Sequence, residues 1–266
     1  MNVLAWIVAA TLAATLCAEA IRRLPPRVGA LLFVAIPLAA TPLWLTFSDT
    51  PLFSFTKVYS ICAGLVYIEL LKATRWSERQ AARLAGYLLL AINILEAVVA
   101  DAVKLNAVNA AAGVLLVLAQ AYPGAITVDR DSFRRDLRYQ LGGWWVAAYT
   151  VWNFAFVYGC VPSFAAFALV HLAAPILACR GRSELWLQAR VAVLSVMMIV
   201  RMSAPNPPFL YLVPHWYSPS VATALHVASL GMAIVVAARS FREARRTGVR
   251  RDLLGSSTGL LGEARA

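Results

Sequence analysis

Long apolar stretches recur along this chain, and almost every basic residue lies in one of five clusters between them. Arg22, Arg23 and Arg27 form the first cluster, and Lys72, Arg75, Arg79 and Arg83 the second. Arg130, Arg134, Arg135 and Arg138 form the third; Arg180, Arg182 and Arg190 form the fourth. The last runs from Arg239 through Arg242, Arg245, Arg246, Arg250 and Arg251 to Arg265. Only Lys57, Lys104 and Arg201 lie elsewhere. An apolar stretch of about 17–25 residues crosses the roughly 30 Å hydrocarbon core as one helix. Basic residues accumulate in cytoplasmic loops, so the clusters also set an orientation.

Nine spans satisfy hydropathy and charge together, at about residues 3–20, 28–47, 54–73, 84–103, 106–122, 141–160, 162–178, 186–203 and 220–238. Every odd-numbered gap is basic. The pattern predicts an all-α polytopic bundle, N-terminus outside and C-terminus cytoplasmic. Eight spans would leave one basic cluster on the wrong side. A closed barrel is excluded, because the stretches are too long and too uniformly apolar for membrane strands. Residues 1–240 read as one transmembrane domain, and 241–266 as a basic, disordered cytoplasmic tail.

The composition excludes a water-soluble domain: 61% of residues are hydrophobic and 14% charged. The net charge of +11 sits at helix ends and matches anionic lipid headgroups better than nucleic acid. Cys17, Cys62, Cys160 and Cys179 show neither CxxC nor Cys/His spacing, so no metal site is expected. No cofactor is implied. The oligomeric state stays open, a homo-oligomer included. The first apolar stretch lacks a basic n-region and has its arginines after it, which is the pattern of a spanning helix.

Two loops stand out. Pro123–Gln140 carries Phe133 and Leu137 one turn apart and predicts a short helix on the membrane surface. Ala204–Pro219, rich in Pro and aromatics, predicts an interfacial belt or a lid.

Ionisable groups inside a span are costly and mark functional candidates. Glu96 lies deepest, about 18 Å from the cytoplasmic end of the fourth span at 1.5 Å per residue. Asn93 and Lys104 share its face, and Asp101 can pair with Lys104 one turn away. Asn153 of the sixth span lies at the same depth. Lys57, Arg201 and His226 fall in the same outer half. Depth alone therefore predicts one polar layer of Lys57, Glu96, Asn153, Arg201 and His226. Trp145, Tyr149 and Trp152 form an aromatic face beside Asn153, suited either to a planar or cationic ligand or to plain packing. Arg190 reads as a positive-inside residue, a Glu69–Arg190 pair being an alternative. His171 reads as an interior histidine.

Three segments carry a resemblance: Asn93-Ile94-Leu95-Glu96-Ala97, Tyr149-Thr150-Val151-Trp152-Asn153-Phe154 with Val157-Tyr158, and Leu185-Trp186-Leu187-Gln188-Ala189-Arg190. In them the chain resembles a family of uncharacterised bacterial multi-pass membrane proteins. The resemblance implies a bacterial cytoplasmic membrane protein and no particular activity.

No HExxH, GxSxG or Walker motif is present. Three functional readings remain, each with its own geometry. A transporter or binding protein for a small molecule or ion predicts a cavity around Glu96 open to water. An enzyme acting on a lipid or isoprenoid, with Glu96 or His226 as acid–base, predicts a groove open sideways to lipid. An assembly protein predicts a closed bundle with Glu96 fully hydrogen-bonded.

Overall fold

A computed structural model describes residues 3–46, 52–204 and 217–247. Among these, nine α-helices run in chain order: α1 (Val3–Arg23), α2 (Pro26–Thr46), α3 (Leu52–Ala73), α4 (Gln80–Val103), α5 (Ala107–Leu118), α6 (Gly143–Cys160), α7 (Ala165–Cys179), α8 (Trp186–Ser203) and α9 (Pro219–Thr247). Prolines at the first positions of α2 and α9 suit a helix start, where the missing N–H has no partner to lose. Arg180, with φ 50°, and Gly181, with φ 80°, end α7 in the left-handed region.

Six segments are long and apolar enough to cross a membrane: Val3–Arg23, Pro26–Thr46, Gln80–Val103, Pro162–Cys179, Ser183–Ser203 and Pro219–Arg246. The chain is thus a multi-pass membrane protein by length and composition. α5, at 12 residues, rises only about 18 Å and is short of a full span. It nevertheless brings the chain back, because Gln120 beyond its end donates to the Tyr139 hydroxyl and that hydroxyl donates to the Ala121 carbonyl. α9 remains helical through Thr247, seven residues into the expected disordered tail at 241–266; the rest of that tail, and the Pro-rich segment at 205–216, lie outside the described residues.

The expected surface helix at Pro123–Gln140 is not formed. A 3-10 turn at Pro123–Ala125 leads into two antiparallel strands, β1 (Ile126–Val128) and β2 (Leu137–Tyr139). The register pairs Ile126 with Tyr139, Thr127 with Arg138 and Val128 with Leu137. Ile126, Leu137 and Tyr139 are buried while Thr127 and Arg138 point out, which is the period of two of a strand. Phe133, expected to lie on the membrane side, is 91% exposed at the tip of the connection. Alternation within Ile-Thr-Val and Leu-Arg-Tyr overrode the single i,i+4 apolar pair.

This hairpin gathers the basic clusters. Arg22 grips Asp136 through two hydrogen bonds of 2.7 Å, and Gln188 of α8 donates to Asp136 at 3.1 Å while accepting from the Leu137 N–H at 3.0 Å. Arg130 donates to Thr74 and Ser77, just beyond α3. Arg239 of α9 lies 4.6 Å over the ring of Trp144 at the start of α6. The described residues of all five clusters therefore gather toward one end of the bundle. Burial works against the charge of Asp136, but the bonds from Arg22 and Gln188 and the charges of Arg22 and Lys72 hold its carboxyl below the usual range. A depressed carboxyl stabilises the fold above its unfolded value of about 3.9 and loses that contribution as pH falls. Asp136→Asn is expected to cost about 1.5–3 kcal/mol. Melting of the wild type in detergent should be flat from neutral pH to about pH 5 and fall below about pH 4, with a shallower acid slope in the variant. Equal slopes would remove Asp136 from this role.

Candidate functional site

α3 packs on α2 and α8, and α4 packs on α5. The two helices diverge, leaving a groove between them of about 150 Å³. The helix period explains its walls. Ser60, Ile61, Gly64 and Ile68 face it from α3; Gly86, Leu90, Asn93 and Glu96 face it from α4. Leu187, Arg190, Val191 and Leu194 of α8 line it too, together with Tyr149 of α6. Ile126 and Leu137 of the hairpin close the basic end. From Gly86 to Glu96 the groove runs about 15 Å at helical rise. Its lining is mostly apolar, and Leu89 and Ile92 on the rim are largely exposed.

Lys57 and Glu96 meet across the end remote from the basic clusters, with Lys57 Nζ 2.5 Å from the Glu96 carboxylate. Depth arithmetic placed these two together and the structure pairs them. Glu96 remains 50% exposed, so it is not sealed inside a closed bundle. Asn93 lines the groove one turn below.

The rest of the expected layer comes apart. Arg201 lies 4.3 Å over the ring of Phe164, where α6 passes into α7, and takes no part in lining the groove. His226 of α9 lies against Gly159 of α6, where an added Cβ would come within 2.7 Å of its Nε2. Asn153 is half-buried and outside the groove. Equal depth does not set which way a side chain points around its helix, and these three point elsewhere.

The aromatic face is core rather than cradle. Trp145 and Trp152 are buried, their indole N–H groups donating to the carbonyls of Leu116 at 3.0 Å and Asn109 at 2.9 Å. Tyr149 stacks on Trp145 at 5.4 Å and meets Trp186 edge-on at 4.9 Å. Only Tyr149 of the three reaches the groove.

Asp101 does not form its expected pair with Lys104. It accepts from Asn109 at 2.7 Å, Asn106 at 3.3 Å and the Cys160 thiol at 3.4 Å. Ser229 of α9 donates to Asn109 at 2.7 Å, so this polar cluster ties α4, α5, α6 and α9 together. Glu69 pairs with Lys72 at 2.8 Å rather than with Arg190. Among the described residues no group of three or more His, Cys, Asp and Glu is placed to hold a metal.

Arg190 is the groove residue that the positive-inside rule concealed. It is 5% exposed. Its Nη1 donates to the His171 carbonyl and lies against the His171 Nδ1, both at 2.7 Å. Its guanidinium lies 6.0 Å from the Tyr149 ring centre. One signal was present in the sequence: unlike Arg180 and Arg182, Arg190 falls inside its span, on the same face as Leu187, Val191 and Leu194.

The model of a family described as "Family of unknown function (DUF5692)" matches residues 1–105 and 102–252. The chain belongs to that family. No curated protein and no solved structure is similar to it at a significant level.

Proposed function

We propose that this member of a family of unknown function binds an apolar or amphipathic molecule taken from the bilayer into the α3–α4 groove. The observation that carries the reading is the divergence of two long helices over a mostly apolar floor, with an exposed rim at Leu89 and Ile92. In a bilayer such a slot faces lipid. Mostly apolar walls with a few polar groups suit an apolar or amphipathic molecule. Binding is favoured over acid–base chemistry because Glu96 is engaged with Lys57, and His226, the other expected acid–base residue, lies outside the groove. The Lys57–Glu96 pair then clasps the slot at its far end. The basic residues gathered at one end support a reading in which that end faces the cytoplasm of a bacterium and the bundle lies in its inner membrane.

Gly64 gives a direct test. An added Cβ there meets only Val191, at 3.8 Å, so a larger side chain would project into open groove without displacing the wall. Gly64→Leu is expected to fold normally and to lose bound lipid-like molecules when the purified protein is assayed by native mass spectrometry. Undiminished co-purification from Gly64→Leu would rule the groove out as the binding place.

A further inference from the structure

We infer that the molecule bound in this groove is an anionic lipid, its carboxylate or phosphate head received by Arg190 and its hydrocarbon chain leaving between α3 and α4. The inference rests on the groove-binding reading. An arginine stays protonated in proteins and can only donate. Its bond to His171 Nδ1 therefore makes that nitrogen an acceptor, and the imidazole brings no counter-charge. Among the described residues Arg190 forms no ion pair, since Glu69 is engaged with Lys72 and Asp136 with Arg22. Arg190 Nε is buried with no hydrogen-bond partner. The Tyr149 ring offers only a weak electrostatic contact at 6.0 Å. A buried guanidinium with an idle donor and no anion is costly, more so at membrane depth. An oxyanion entering the groove would satisfy both charge and donor, and the planar fork suits carboxylate and phosphate alike.

Size decides the rest. A cavity of 150 Å³ holds about one benzene-sized group. The head and its first carbons fill it, and a longer chain must lie outside, along the exposed Leu89 and Ile92. Lys57 at the far end already has Glu96 as its counter-charge, so Arg190 is the groove cation left for the head.

The test uses the full chain in nanodiscs of zwitterionic lipid, with a fluorescent fatty acid as the reporter. Competitors are oleic acid, oleoyl lysophosphatidic acid, oleyl alcohol and inorganic phosphate. The two chained anions should displace the reporter about tenfold or more better than the alcohol, as expected for a hydrogen bond to a charged group. Phosphate alone should not compete. Arg190→Gln should abolish the preference for the anions while the alcohol still binds. Arg190→Lys, which keeps the charge and serves if the glutamine variant does not fold, should retain a reduced preference. An alcohol that competes as well as the acid, or a preference that survives in Arg190→Gln or is unchanged in Arg190→Lys, overturns the inference and leaves the groove reading standing. Displacement by phosphate alone would make the site one for free oxyanions and also overturn it. Failure of every chained molecule to bind would refute the groove reading itself.

Discussion

Trp152→Ala is expected to destabilise the protein by about 3–5 kcal/mol, the range for deleting a large aromatic from a packed core. The indole is wholly buried, and it fills the space where α6 meets α5. At Gly113 of α5 an added Cβ would come within 2.9 Å of its ring, so the two helices are packed with no slack at this point. The ring also tilts against Tyr149 at 5.6 Å, and its N–H satisfies the carbonyl of Asn109 at 2.9 Å. Truncation removes the volume, the ring contact and the hydrogen bond together. Thermal melting of the detergent-solubilised protein, read by tryptophan fluorescence and by loss of monodisperse elution, measures the effect. A shift no larger than that of an exposed control such as Trp144→Ala would show that the α5–α6 contact is not a determinant of stability. Because Trp152 is absent from the groove lining, lipid binding should survive at temperatures where the variant is folded.

Asp101→Ala should give the second largest loss, by a different mechanism. Asp101 is fully buried, and its acceptors take the amide of Asn109 at 2.7 Å and that of Asn106 at 3.3 Å. Alanine leaves the Asn109 amide without its acceptor, at about 1–3 kcal/mol for an unsatisfied buried group. A small cavity adds to this. Asp101→Asn keeps one acceptor and should lose less. Asn109 also receives the Trp152 indole, so Asp101→Ala and Trp152→Ala share a partner and their double variant should fall short of the sum. Strict additivity would contradict the coupling through Asn109. Asp101→Ala melting like the wild type would show that the polar cluster does not hold α4, α5 and α9 together.

Much of the helical layout was legible. The eighth span, read as 186–203, coincides with α8 at Trp186–Ser203. Span length, apolar content and basic flanks are properties of consecutive residues, and helices in lipid must satisfy their backbone within the segment. Strands of three residues are too short for their period to compete with a helical pair in the same loop, and the hairpin was missed for that reason. The Lys57–Glu96 contact was reachable because both residues are ionisable and share a depth in neighbouring spans. His226, Arg201 and Asn153 share that depth as well and still fall apart, since depth carries no information about azimuth.

The sequence by itself determined an apolar multi-helix chain with most of its basic residues clustered between the apolar stretches, because hydropathy and charge add up along the chain without regard to partners. It also singled out Glu96 as the deepest ionisable group in a span. Tertiary structure alone decided that α3 and α4 part while α5 pulls close to Trp152, and that Arg190 faces the resulting groove. The rotation of each helix about its axis is set by how side chains from distant segments interdigitate, and a residue such as Arg190 changes from a flanking charge to a buried one through that rotation.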